Sequence, residues 1–260
     1  MEVGRAPFAT SNFGTLHNFI ESWSYPTMPW DFLLIFFALA VIVPWRGWAR
    51  LQRLLALSSI TSRDRILLYL SSIATQWIVT AFIAWRAFAR GYSFSALGLK
   101  FNPLPDLLVV GILGAALLGL AHWLNLRRIS RSKNPAAEHI KSLAERIFPH
   151  DGGEAAVFSG LAITAGICEE FLYRGFVFGA LSHMSIPVWA VLLISSVMFG
   201  LAHAYQGRSG IVGTLILGTV FGLVRILYDS LIPVVLWHAA VDVVAGFAGM
   251  HYLIDNKRLM

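Results

Sequence analysis

Residues 155–174 read AAVFSGLAITAGICEEFLYR. Fourteen residues without a formal charge lead into two adjacent acids, Glu169 and Glu170, and Arg174 follows one turn later. A run of this length is what a helix needs to cross the hydrocarbon of a bilayer. Two further apolar runs carry polar groups in the same manner, Phe199-Gly-Leu-Ala-His203 and His238-Ala-Ala-Val-Asp242. A charge near the bilayer centre costs roughly 2.5–3.5 kcal/mol on insertion scales, so Glu169, Glu170, Arg174 and Asp242 facing lipid would cost on the order of 10 kcal/mol. They must instead face one another or a wet cavity. Glu, His and Asp are also the side chains that activate water and ligate metals. The pattern points to a hydrolytic site embedded in a membrane.

Composition agrees. The 260 residues are 57% hydrophobic and 13% charged, with a mean hydropathy of +0.67, whereas soluble domains average about 25% charged residues. The expected fold class is all-α, a polytopic transmembrane helical bundle. The net charge of +6 does not indicate nucleic acid, because the basic residues lie between apolar runs. Arg46, Arg50, Arg53, Arg63 and Arg65 fall in one connection, and Arg127, Arg128, Arg131, Lys133, Lys141 and Arg146 in another. Basic connections mark the cytoplasmic side, which puts the N-terminus outside and the C-terminus inside; Arg86, Arg90 and Lys100 argue the other way. The single cysteine, Cys168, says nothing about redox compartment. Two carboxylates beside it disfavour a thiolate nucleophile, and a small buried packing residue is the better reading.

About seven spans are expected, near 30–46, 66–88, 105–125, 155–174, 187–204, 210–228 and 231–250. An apolar stretch at 10–24 would make an eighth, or an interfacial helix. Residues 136–148 read as an amphipathic surface helix, and His122, His183 and His251 as span-end histidines. Two parts are expected: 1–100, an N-terminal membrane region with two spans and no family signature, and 101–260, a catalytic membrane domain with its motifs in 150–250.

Helical spacing divides the site. Residues four apart share a face and adjacent ones point about 100° apart, so Arg174 pairs with Glu170 and leaves Glu169 to do chemistry. Phe199 backs the ring of His203. His238 and Asp242 share a face, a spacing that suits two ligands of one metal or a histidine oriented by a carboxylate. Arg225 and Asp229 also stand four apart, in the less favoured order, and read as structural.

In the order Glu169-Glu170-x-x-x-Arg174, Phe199-x-x-x-His203, His238-x-x-x-Asp242, with Ser95-Ala-Leu-Gly-Leu99 ahead of the third span, the chain resembles the CPBP family of intramembrane proteases. That family includes CAAX prenyl endopeptidases and bacteriocin-processing or immunity proteins. The resemblance covers about residues 150–250 and is specific for the family, not for a substrate. It implies that Glu169 and His203 activate a water, with His238 and Asp242 stabilising the oxyanion or completing a metal site. The implied Zn²⁺ ligands are Glu169, His203, His238 and Asp242, while Glu170, Arg174 and Phe199 support. Relatives that process prenylated proteins carry Asn at the position of Asp242, and an ionised aspartate cannot donate to an oxyanion.

The resemblance thus implies an endopeptidase acting on a membrane-associated substrate, a prenylated CAAX tail or a leader or membrane peptide. The expected partners are the lipid bilayer and a peptide or protein substrate, without nucleic acid, and the expected setting is the cytoplasmic membrane of a prokaryote. The rival readings are a non-catalytic binding or immunity protein of the same family, and a proton-coupled transporter using the carboxylates as a relay. The chain lacks the related halves common in transporters.

Overall fold

The computed structural model describes residues 27–254. These form helices α1 Trp30–Ala56, α2 Ser62–Ala89, α3 Leu104–Arg131, α4 Pro135–Ile147, α5 Gly152–His183, α6 Val188–Ala202, α7 Gly207–Tyr228 and α8 Ile232–Tyr252. There is no strand among the described residues. The all-helical fold stands, and six of the expected spans are found among the described residues. Among those residues six helices are long and apolar enough to cross a membrane: α1, α2, α3, α5, α8 and α7 with the 3-10 turn Ala204–Gln206 ahead of it. The run read as a span over 187–204 is a helix of 15 residues, about 22 Å at 1.5 Å per residue. That falls short of a hydrocarbon core about 30 Å thick. The 10–24 stretch lies outside the described residues.

Local chemistry sets the helix starts. Thr61 and Asp64 close a reciprocal capping box on α2, each side chain accepting the other's backbone N–H. Asn134 caps α4 ahead of Pro135, and the Asp151 carboxylate caps α5 by accepting the N–H of Glu154 at 2.8 Å. Such caps satisfy donors that have no partner inside the helix. At the end of α7, Asp229 adopts a left-handed conformation, φ 47°, and takes ion pairs from Arg225 and Lys100.

Both Arg-rich stretches gather at one end of the bundle. Arg146 donates to the carbonyls of Leu54 and Leu57, and Leu126, Ala144, Phe148, Ala248 and Leu253 form one apolar cluster there. The basic residues stand mostly on helix ends rather than in loops. Arg46, Arg50 and Arg53 ride on α1, which runs to Ala56, and α3 continues to Arg131. His122 therefore lies nine residues inside α3, not at a span end. Arg65 is a larger departure: it is buried and clamps Glu154 with two bonds of 2.7 and 2.8 Å. This buried ion pair sets α2 against the start of α5, and Trp77 continues the contact by donating to Thr164 at 3.3 Å. At the opposite end Asp31 pairs with both Arg86 and Arg90, which offsets part of the positive charge there.

Close helix approach rests on small residues. A Cβ on Gly166 of α5 would stand 2.9 Å from the backbone nitrogen of Ala239 and 3.0 Å from the carbonyl of Val235, both on α8. Added Cβ atoms on Gly175 and Gly179 would meet the carbonyls of Leu97 and Ala96 at 2.9 and 2.8 Å. The Ser95–Leu99 patch is thus the loop that packs on the far half of α5.

Candidate active site

Midway along α5 the hydrogen-bond ladder widens into a π-helical segment, Phe171–Val177, beginning directly after Glu170. Single π segments inside α-helices occur often at functional sites. All seven residues of this one are buried, enclosed chiefly by α6, α2 and α7, with Phe32 of α1 and the 92–99 loop beside them.

Glu170 and Arg174 are both 0% exposed and meet at 3.0 Å. The Arg174 guanidinium carbon stands 4.1 Å from the centre of the Phe199 ring, a cation–π contact that is strongest when water is excluded. The same Glu170 oxygen lies 2.7 Å from Nδ1 of His238. Since an ionised carboxylate only accepts, Nδ1 carries a proton and donates it to Glu170. The partner that fixes one ring nitrogen also aims the other. Nε2 of His238 then faces Glu169 Oε2 at 3.9 Å and Asp242 Oδ2 at 3.5 Å.

His203 is positioned in the same way by a different acceptor. It is the residue at which α6 stops, and its Nδ1 donates to the backbone carbonyl of Phe199 at 2.9 Å. The Phe199 ring lies 4.7 Å from the His203 ring and 5.8 Å from that of His238, so one aromatic side chain supports both imidazoles. Nε2 of His203 is left facing Glu169 Oε2 at 3.8 Å. The shortness of α6 has a use here: a helix that ends part-way across delivers its last side chain to the depth of Glu169.

Separations of 3.8 and 3.9 Å are too long for direct hydrogen bonds. They suit one water bonded to both groups, since polar contacts beyond 3.5 Å are commonly bridged. Glu169 and Asp242 are the more open members, with side chains 20% and 37% exposed, against 14% and 7% for His203 and His238.

The same donors are of the types that hold zinc. Zinc binds N and O ligands at about 2.0–2.2 Å, which places two ligand atoms of a tetrahedron about 3.3 Å apart. Among the described residues no three His, Cys, Asp or Glu side chains stand close enough to share one ion.

Residues 152–244 match the family model described as type II CAAX prenyl endopeptidase Rce1-like. Over that third of the chain the protein is similar to the Rce1-like CAAX-protease family. All three motifs read from the sequence lie within the matched residues. No curated protein and no solved structure matches the chain. Six apolar spans among the described residues make this an integral, multi-pass membrane protein.

One neighbour of this centre carries no motif. Gln76 of α2 donates from Nε2 to Glu169 Oε1 at 3.2 Å. A lone amide in the apolar run Ile73–Phe82 is itself a signal, because an unsatisfied polar group in a membrane helix is costly. Cys168, fully buried on α5, takes no part in the cluster, which fits its reading as a packing residue.

Proposed function

We propose that this protein is an intramembrane endopeptidase that hydrolyses a peptide bond of a membrane-associated substrate, a CAAX-type prenylated tail or a leader or membrane peptide. Glu169 is the general base, and His203 holds the same water. The observation that carries the reading is the one-water gap between Glu169 Oε2 and His203 Nε2, 3.8 Å across, with both groups oriented from behind. The water donates one hydrogen to Glu169 and the other to the lone pair of His203 Nε2. As its oxygen attacks the carbonyl carbon, Glu169 takes the proton and the carbonyl electrons move onto oxygen. The tetrahedral intermediate collapses when the C–N bond breaks, and Glu169 returns the proton to the leaving nitrogen. This is general acid–base catalysis by a positioned carboxylate, commonly worth about 10²–10⁴-fold.

His238, protonated at Nδ1 by its bond to Glu170, presents Nε2–H to the oxyanion when it is also protonated there. Donors aimed at developing charge in a dry site supply the largest single contribution in many enzymes. Asp242 accepts from that nitrogen and, when neutral, donates in its own right. Glu170 and Arg174 hold the His238 side of the site. Were zinc bound, His203, His238 and Asp242 would hold it, leaving Glu169 as the base, and it would supply a Lewis acid that makes a water nucleophilic near neutral pH.

The test is cleavage of a fluorogenic peptide ending in a prenylated Cys-aliphatic-aliphatic-X tail, and of membrane-inserted leader peptides, by purified protein in proteoliposomes. Wild type should cleave at least one class, and Glu169→Gln should abolish cleavage while leaving the melting temperature within about 2 °C, as a near-isosteric change allows. Near-normal turnover by Glu169→Gln refutes the assignment of the base.

A further inference from the structure

We propose that Gln76, from the part of the chain outside the family match, is a positioning residue that fixes which carboxylate oxygen of Glu169 faces the water. The inference rests on the hydrolytic reading of Glu169 and adds a role for the N-terminal region, which carries no motif of its own.

Three observations converge on it. Gln76 Nε2 lies 3.2 Å from Glu169 Oε1, while Oε2 is the oxygen that faces His203 and His238 at 3.8 and 3.9 Å. The terminal torsion of a glutamate is broad and roughly two-fold. Without a partner on Oε1, the plane of the carboxylate is free to swing away from both histidines. The second observation is the register of α2. Arg65 clamps Glu154, and Trp77, next to Gln76, donates to Thr164. The amide is thereby delivered to Glu169 by a helix anchored above and beside it. The third is the other end of the amide: Gln76 Oε1 is buried with no hydrogen-bond partner. A buried, unmatched carbonyl works against stability, so the residue is poorly explained as a packing element.

The amide cannot be turned round to relieve that cost. Reversal would set Oε1 against an ionised carboxylate, acceptor against acceptor. The other polar groups around Glu169 are His203 at the end of α6, Tyr205 just beyond it, His238 and Asp242 on α8, and Glu170, Tyr173 and Arg174 on its own helix. Glu170 and Arg174 engage one another, and none of the remainder bonds Oε1. Gln76 holds that oxygen alone among the described residues.

The experiment uses the full-length protein in proteoliposomes with the prenylated fluorogenic peptide, comparing wild type, Glu169→Gln, Gln76→Leu and Gln76→His. Gln76→Leu should lower kcat about 10–100-fold, the scale of a lost charge-assisted bond and a misplaced base. KM should stay within about twofold and the melting temperature should not fall, since an unmatched carbonyl leaves with the amide. The Nε2–H of Gln76→His reaches a similar distance and should recover much of kcat. Gln76→Met gives the same comparison if the leucine variant fails to insert. A kcat within about twofold of wild type, or a matching rise in KM with a lowered melting temperature, overturns the positioning role and leaves the hydrolytic reading intact. If wild type does not cleave the peptide, that substrate reading fails by itself, and infrared difference spectra decide the inference. The carboxylate bands isolated by subtracting Glu169→Gln should shift in Gln76→Leu; unmoved bands overturn the Gln76–Glu169 bond.

Discussion

Replacing Arg174 by methionine keeps the length of the side chain and deletes the charge that faces Glu170. Both partners are 0% exposed and 3.0 Å apart, so nothing but protein surrounds the carboxylate that remains. Breaking a buried ion pair from one side typically costs about 3–5 kcal/mol, because the surviving charge is left uncompensated. The lost cation–π contact with Phe199, 4.1 Å away, adds up to about 2 kcal/mol in a desolvated setting. The His238 Nδ1–H, 2.7 Å from Glu170, offsets part of the loss by remaining as a donor. The net expectation for Arg174→Met is about 3–5 kcal/mol. Glu170→Gln should cost a similar amount, by orphaning the guanidinium instead. In the double variant Arg174→Met/Glu170→Gln no unpaired charge is left at the pair, so its cost should fall below the sum of the singles by about 2–3 kcal/mol, the upper part of the range for contacting residues. Reversible unfolding in mixed micelles, followed through the nine tryptophans, gives all three values. A single-variant cost below about 1 kcal/mol, or additivity within about 0.5 kcal/mol, would refute the view that this pair is held by mutual neutralisation.

Other expectations concern the same centre. Cys168→Ala should keep most activity and cost about 1 kcal/mol as a small core truncation; inactivation of wild type by a thiol reagent, together with loss of activity in a folded Cys168→Ala, would contradict this. Asp242→Asn should preserve or raise kcat if a neutral donor serves the oxyanion. If the site works with zinc, chelation and readdition should switch activity off and on, zinc should be stoichiometric by elemental analysis, and Asp242→Asn should weaken its retention. Gly166→Ala should lower both stability, by about 1–3 kcal/mol, and kcat, because the new methyl meets the backbone of α8 beside His238; wild-type kcat in that variant would show that helix separation is not sensed by the site.

The long apolar runs reported the membrane bundle directly, because hydrophobic length is set by the bilayer and needs no tertiary knowledge. The pairing of Glu170 with Arg174 was also legible, since four-residue spacing on a helix is local geometry. What spacing could not convey is depth. The 187–204 run has the composition of a span, yet α6 ends at Ala202, and only its neighbours reveal that His203 stands level with Glu169. Arg65 looked like one more loop charge until its partner Glu154, 89 residues away, was found buried with it. His122 seemed terminal because α3 runs on through polar residues to Arg131. Gln76 belongs to the same class of miss: a contact across 93 residues, signalled only by an amide where lipid-facing chemistry would exclude one.

The mid-helix placement of Glu169 acts as a measuring stick for whatever is cut. Seventeen residues separate it from the start of α5 at Gly152, at the end of the bundle where the Arg-rich stretches gather, about 25 Å along the axis at 1.5 Å per residue. An extended chain covers about 3.4 Å per residue, so a substrate tethered at that rim must pay out some seven residues, roughly, before a peptide bond reaches the water. A tail of only three or four residues cannot bridge that distance from the surface. For such a tail to be trimmed, its attachment point must itself sink to the level of the histidines, so a scissile bond close to its anchor selects for an anchor that dissolves in the bilayer.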